Sequence, residues 1–271
     1  VPIDPLAFKE GQRATWSAGD YPEIAQLIED AAERTVELLG VAAGHRVLDV
    51  ATGTGNAAIP AAQKGANVIG LDLTPDLLAA ARGRATAAGV DVEWVEGDAE
   101  ELPFDDGSFD RAMSVFGAMF APRHELAASE IRRVVKTGGS FAVTGWTPEG
   151  LNGQMFKTVG KHMPPPPPDF VPPVMWGDED YMTQLFGGDG AQLSFERGTV
   201  SFGGDTRDEY YDYFEQRLGP LIMARKALEP EGKYDALRDD LLALYDRFNE
   251  ADDGSVRLQA EYLVTVGTLE A

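Results

Sequence analysis

Arg46-Val-Leu-Asp-Val-Ala-Thr-Gly-Thr-Gly-Asn56 is the stretch on which the reading of this chain turns. Val47 to Val50 form a buried strand that carries one acid, Asp49. A tight Gly53-Thr54-Gly55 turn follows, then an alanine-rich helix from Asn56 to Gln63. Glycine is the residue for such a turn, because a side chain would block the backbone from approaching a ligand over the strand end. A second strand, Val68-Ile-Gly-Leu-Asp72, ends in an acid 17 residues after Gly55. An acid at that point can accept both hydroxyls of a ribose. Strand, glycine bend and distant acid together read as a holder for a nucleoside-containing small molecule.

Composition narrows the partners. The chain has 271 residues, 44% of them hydrophobic, which suffices for a core without the apolar excess of a membrane protein. No apolar run approaches the ~20 residues of a membrane helix. Val1-Pro-Ile-Asp4 lacks the basic flank and apolar stretch of a signal peptide. There is no cysteine, which excludes disulfides, thiolate metal sites and a cysteine nucleophile. A cytoplasmic location is the expectation. Acids outnumber bases 45 to 23, for a net charge of −22. Such a field repels a polyanion, so nucleic acid is not the expected partner. The three histidines, His45, His124 and His162, are too scattered for a metal site by spacing, and no metal is expected.

Outward from the opening stretch, periodicity divides the chain. Residues 1–44 read as an N-terminal helical cap, with Ile24, Leu27, Ile28, Ala31 and Ala32 at helical spacing. Residues 45–147 alternate strands (46–50, 67–71, 91–96, 110–115, 139–146) with helices (55–64, 75–88, 123–135). Thr74-Pro75 is a cap with proline at the first helical position, and Lys136-Thr-Gly-Gly139 reads as a turn that ends a helix. Alternation of this kind implies a doubly wound α/β sheet. Residues 148–271 complete it: a helix near 152–162, a polyproline spacer at Pro164–Pro168, a helix near 178–186 and a strand near 192–202. Two helices then fill 206–250 as a lid. The first carries a stripe of Tyr210, Tyr211, Phe214 and Leu218. Val256 to Val266 alternates apolar and polar residues and reads as an antiparallel C-terminal strand.

The Val47–Gly55 motif, Asp72, Gly97-Asp-Ala-Glu-Glu-Leu-Pro-Phe104 and Phe109-Asp-Arg-Ala-Met-Ser-Val-Phe116 resemble the class I S-adenosylmethionine (SAM)-dependent methyltransferases. The branch they are most similar to is that of the ubiquinone and menaquinone C-methyltransferases. The resemblance implies a Rossmann-like sheet of seven strands, mostly parallel with the last antiparallel, and SAM as the cofactor. It also implies residue roles. Ala51, Thr52, Gly53 and Gly55 pass close to the methionine part, with Asp49 ordering the loop. Asp72 takes the ribose, and Leu73 packs on the adenine. Asp98 accepts from the adenine amine, beside Gly97 and the Ala99 amide. Ser114, Val115 and Phe116 end the fourth strand next to the methyl donor. Ala51 departs from the family, where the position is commonly glycine, and a slight loop shift is expected.

Gly53-x-Gly55-x-x-Ala58 also meets the looser dinucleotide fingerprint, which keeps an NAD-type oxidoreductase and a non-catalytic SAM-binding protein as alternatives. The helical cap before the first strand, the Gly-Asp-Ala block and the alternating C-terminal strand favour the methyltransferase. For the acceptor, a small aromatic or apolar molecule is expected between Met119, Phe120, Trp146, Phe156, Tyr210, Tyr211 and Phe214. Trp16 and Tyr21 can fold over the sulfonium, since a ring face attracts a cation. His162 is the candidate general base. His45 and His124 read as surface residues, and Glu100, Glu101, Asp105 and Asp106 as solvated loop acids.

Overall fold

A computed structural model describes residues 3–188 and 190–270. Val47, Leu48 and Val50 are wholly buried, as a parallel strand covered on both faces requires. That strand, β1 (Arg46–Val50), is the third in a seven-stranded sheet ordered β3-β2-β1-β4-β5-β7-β6. Its partners are β2 (Asn67–Asp72) and β4 (Phe109–Val115), with β3 (Glu93–Glu96) at one edge. Beyond β5 (Val135–Trp146) lie β7 (Val256–Leu269) and β6 (Ala191–Gly204). Among the described strands β7 alone runs antiparallel, with Thr144 opposite Val264 on one side and Phe202 opposite Leu258 on the other. The expected α/β sheet with one reversed strand is the fold observed.

The helices of the core are α4 (Ala58–Gln63), α5 (Pro75–Ala88) and α6 (His124–Val134). Pro75 sits in the first turn of α5, and Gly89 closes it in the left-handed region at φ 69°. Thr74 makes no side-chain cap there; its amide instead donates to Asp72 Oδ1 at 2.8 Å. Strand β5 begins four residues earlier than the sequence pattern indicates. Val135 already pairs with Phe109, and the register then slips before Ser140 pairs with Arg111. The Lys136–Gly139 segment is therefore an irregularity inside the strand and not a helix-ending turn.

Three helices precede the sheet: α1 (Pro5–Ala18), α2 (Tyr21–Gln26) and α3 (Glu29–Leu38). After β5 come α7 (Leu151–His162) and α8 (Glu179–Phe186), the latter capped by Asp178. Between β6 and β7 lie three helices, one more than expected: α9 (Arg207–Arg217), α10 (Gly219–Leu228) and α11 (Tyr234–Phe248). Leu218-Gly219-Pro220 breaks the chain between α9 and α10. A Cβ on Gly219 would lie 2.1 Å from the Thr15 carbonyl, so α10 meets α1 at glycine contact distance. The Gly219 amide donates to the Tyr21 hydroxyl at 3.2 Å, and the Asp20 amide to the Arg217 carbonyl at 2.9 Å. The first and last helical groups thus dock on each other across the sheet's carboxyl ends.

Candidate functional site

The strand order reverses between β1 and β4, and ligands of open α/β sheets bind outside the carboxyl ends at such a reversal. Ala51, just after β1, and Phe116, just after β4, have φ of 54° and 53°. Among the described residues no other non-glycine residue has positive φ. Ser114 ties the two strand ends together: its hydroxyl donates to the Val50 carbonyl at 2.7 Å and accepts from the Ala118 amide at 2.9 Å. Gly117 allows the approach, because a Cβ there would lie 2.4 Å from the Ala51 carbonyl oxygen.

Asp72 holds the glycine bend. Its Oδ2 accepts from the Gly53 amide at 2.8 Å while Oδ1 accepts from Thr74. Burial raises its pKa, and these amides partly offset the rise. Gly53 has φ 56°, and a Cβ on it would meet nothing within 4 Å, so this backbone faces open space. Asp49 lies beneath the bend. Its Oδ2 accepts from the Thr52 hydroxyl at 2.6 Å and the Ala58 amide at 3.0 Å. Burial lifts its pKa to about 7 against the pull of both donors.

At the far side of β2, Asp98 accepts from the Glu100 amide at 2.9 Å and from Lys9 of α1 at 2.5 Å. Lys9 also pairs with Glu100 at 2.5 Å, and Arg123 closes on the same carboxylate through Nε and Nη2 at 2.9 and 2.7 Å. Glu100 is buried, which corrects its reading as a solvated acid; two cations and the Arg123 amide compensate its charge. Glu101, Asp105 and Asp106 are exposed as expected. Arg13 of α1 donates to the Leu73 carbonyl at 3.0 Å.

These groups rim one continuous cavity. Ala51, Thr52, Gly53, Asp72, Leu73, Gly97, Asp98, Ala99, Val115 and Phe116 line it from the sheet, and Trp16 and Tyr21 from the helical cap. Phe120, Trp146, Phe156, Tyr210 and Phe214 form its apolar wall. Phe116 stacks on Trp146 at 3.8 Å, and Trp16 sits edge-on to Phe120 at 4.7 Å and Tyr21 at 5.3 Å. Among the described residues Lys9 is the only Lys, Arg or His in the lining.

Six expected site residues do not reach this cavity. Asp49 and Ser114 are buried under it as braces. Gly55, at φ 85°, is glycine for a packing reason: a Cβ would lie 2.9 Å from the Trp94 ring. Met119 is core. Tyr211 is also core, its hydroxyl 2.6 Å from that of Tyr234. His162 lies at the distal end of α7, about 10 Å along the helix axis beyond Met155, which does line the cavity. Its Nε2 is 2.8 Å from Asp240, so no acceptor proton is within its reach. His124 is buried and not on the surface; its Nδ1 is 2.8 Å from the Tyr181 hydroxyl, and burial lowers its pKa to about 4. Conversely, Gly117, Asn152 and Tyr245 line the cavity without having been singled out. Gly117 was readable as a glycine just past a strand end. Tyr245 gives no signal of its own, because it falls with Leu237, Leu241 and Leu244 at the helical spacing of core residues.

Residues 47–139 match a family model described as a methyltransferase domain. An uncharacterized protein of Mycobacterium tuberculosis is 42% identical over 220 residues, covering 80% of each chain. The demethylmenaquinone methyltransferase of Thermus thermophilus is 38% identical over 136 residues, 49% of this chain and 62% of its own. This chain belongs to the class I SAM-dependent methyltransferases. The solved phosphoethanolamine N-methyltransferase 2 of Haemonchus contortus, in complex with phosphomonomethylethanolamine and S-adenosylhomocysteine, shares the fold. The two superpose with a TM-score of 0.56 at 19% identity, over 89% of this chain and 53% of that one. The donor chemistry fits the methyltransferase's cavity. Gly53 leaves room for a ligand against bare backbone, Asp72 keeps lone pairs beyond its two amide bonds, and the polar end carries acids suited to a cationic molecule. Among the described residues no group of acids and histidines is arranged to hold a metal ion. Nor is any described helix long and apolar enough to cross a membrane.

Proposed function

We propose that the methyltransferase acts on a small aromatic or apolar acceptor, held between the Phe116–Trp146 stack and the wall of α7, α9 and α11. The observation that carries this reading is the division of the cavity. One end is glycine bend and carboxylates; the other is aromatic and aliphatic. When bound, SAM supplies a methyl group already activated on a positively charged sulfur. The chain's task is then alignment and exclusion of water. Asp72 would hold the ribose hydroxyls, Leu73 the adenine face, and Asp98 with Ala99 the adenine edge. Ala51, Thr52 and Gly53 would pass along the methionine part. The apolar wall would present the acceptor atom in line with that methyl group, on the side opposite the leaving S-adenosylhomocysteine. Docked α1, α2 and α9–α11 act as a lid that keeps this exchange dry. The −22 net charge disfavours nucleic acid as the acceptor.

Mass spectrometry of the protein as purified tests the donor: SAM or S-adenosylhomocysteine is expected, and a nicotinamide would count against it. Calorimetry tests the assigned residue. Asp72→Ala should weaken S-adenosylhomocysteine binding at least about tenfold, since a charge-assisted pair of bonds is removed. Unchanged affinity would remove Asp72 from the site. A thermal-shift screen of small phenols and quinones with S-adenosylhomocysteine present then addresses the acceptor.

A further inference from the structure

Tyr210 of α9 and Tyr245 of α11 meet edge to face in the cavity wall, with ring centroids 5.1 Å apart. They are 6% and 2% exposed. Their buried neighbours spend their hydroxyls on the protein. Tyr21 accepts from the Gly219 amide, Tyr211 and Tyr234 share a bond, and Tyr234 donates to Glu215. Among the described residues, neither the Tyr210 nor the Tyr245 hydroxyl has such a partner. Nor is either among the polar atoms sealed from water-sized space. Both residues line the cavity. With no partner in the described protein, each hydroxyl is left to water or to a ligand, whereas phenylalanine would fill the same volume and need neither. Two such tyrosines on neighbouring helices imply a ligand that completes them.

We infer that Tyr210 and Tyr245 are specificity-determining donors that hold a neutral, hydrogen-bond-accepting oxygen on the apolar acceptor. The inference rests on the functional reading above and sharpens it. Burial holds both phenols above their usual pKa range, so both stay protonated at neutral pH and donate. They position the acceptor and take no proton from it. The oxygen is neutral because, among the described residues, the wall offers an anion no free cationic side chain: Lys9 is committed to Asp98 and Glu100, and the sulfonium faces the reacting atom and not this oxygen. Phe202, Phe214, Met155 and Leu218 of the wall offer no hydrogen bond through their side chains and select only for apolar bulk, while Asn152 of α7 is a further polar side chain in the lining.

The test compares 2-naphthol with naphthalene, titrated by saturation-transfer NMR into the protein loaded with S-adenosylhomocysteine. The wild type should bind 2-naphthol about tenfold tighter. Tyr210→Phe and Tyr245→Phe should each lose about threefold of that, and the double variant should bind both probes alike. Naphthalene binding and the S-adenosylhomocysteine affinity should not change, and both variants should fold, since no bond within the protein is removed. Tyr211→Phe, which does remove one, should lower the melting temperature and keep the preference. Equal binding of the two probes by the wild type would overturn the inference. So would no binding of either, or a preference that survives the double substitution. A wild type that fails to bind S-adenosylhomocysteine would overturn the functional reading beneath it, and the calorimetric control separates the two failures.

Discussion

Ala51 and Phe116 hold φ near +54° on either side of the crevice, where an L side chain crowds its own carbonyl. The Phe116 conformation is held from outside, by its amide bond to the Thr144 carbonyl at 3.0 Å and its stack on Trp146. Ala51 has only a methyl group to accommodate, pressed against Gly117. The expected loop shift from alanine is thus better described as a left-handed alanine, tolerated because its neighbour is glycine. Ala51→Gly should raise stability by about 0.5 kcal/mol, strain relief less the entropy of glycine. Ala51→Val should lower it by roughly 2 kcal/mol, since a β-branched residue tolerates this region poorly. Urea melts of the three proteins give the order, and calorimetry should find S-adenosylhomocysteine affinity unchanged in the glycine variant. A glycine variant less stable than wild type would show that the strain is absent. This scale also shows what was legible beforehand. Asp72 and Gly53 announce themselves because their roles are set within a few residues of a strand end. Gly55 and Glu100 were misread because their neighbours, Trp94 in one case and Lys9 with Arg123 in the other, come from distant parts of the chain.

Elements with strong local signals were recovered nearly whole. The apolar run of β1, the Thr-Pro start and glycine stop of α5, and the alternation of β7 each carry their own evidence. Helix α10 was not recovered. Its buried residues Leu221, Ala224 and Leu228 have helical spacing, but the helix is short and begins at a Gly-Pro break that reads as a loop. Helix α1 was legible as helix but not as a clamp. It has no buried residue of its own and reaches the cofactor side through Lys9, Gln12, Arg13 and Trp16. Gln12 bonds the Phe120 carbonyl, Arg13 bonds Leu73, and Lys9 enters the Asp98–Glu100 pair. An element without a core face depends on such contacts for its place. Lys9→Met should therefore speed hydrogen exchange of α1 amides about tenfold. Exchange in β1 and β4 should not move, because Arg123 still compensates Glu100. Exchange in α1 that stays at the wild-type rate would mean that packing on α10 alone fixes the helix.

For the molecule as a whole, two buried groups titrate in opposite senses. Asp49 is raised from 3.8 to about 7, so from about pH 4 to 7 the folded protein holds a proton that the unfolded chain gives up. Its contribution to stability is full below that window and is lost as pH rises through it. His124 is lowered from 6.5 to about 4, so in that window the unfolded chain takes a proton that the folded protein refuses. Its contribution is full above the window and is lost as pH falls through it. The windows overlap between about pH 4 and 6.5, where the two slopes oppose each other. Each is limited to about 1.4 kcal/mol per pH unit, the value for one proton. Repulsion among the surface acids adds a background, but it is common to the wild type and to single variants at buried sites. Differences between proteins therefore isolate each group. Relative to wild type, His124→Gln should lose stability as pH rises from about 4.5 to 6.5, because Asp49 then acts unopposed. Asp49→Asn should gain stability over the same range, because its share of the opposing slope is gone while the raised Asp72 is common to both proteins. Thermal unfolding followed by circular dichroism at several pH values reads both slopes. Curves that run parallel to wild type for either variant would mean that the group does not titrate as its burial requires.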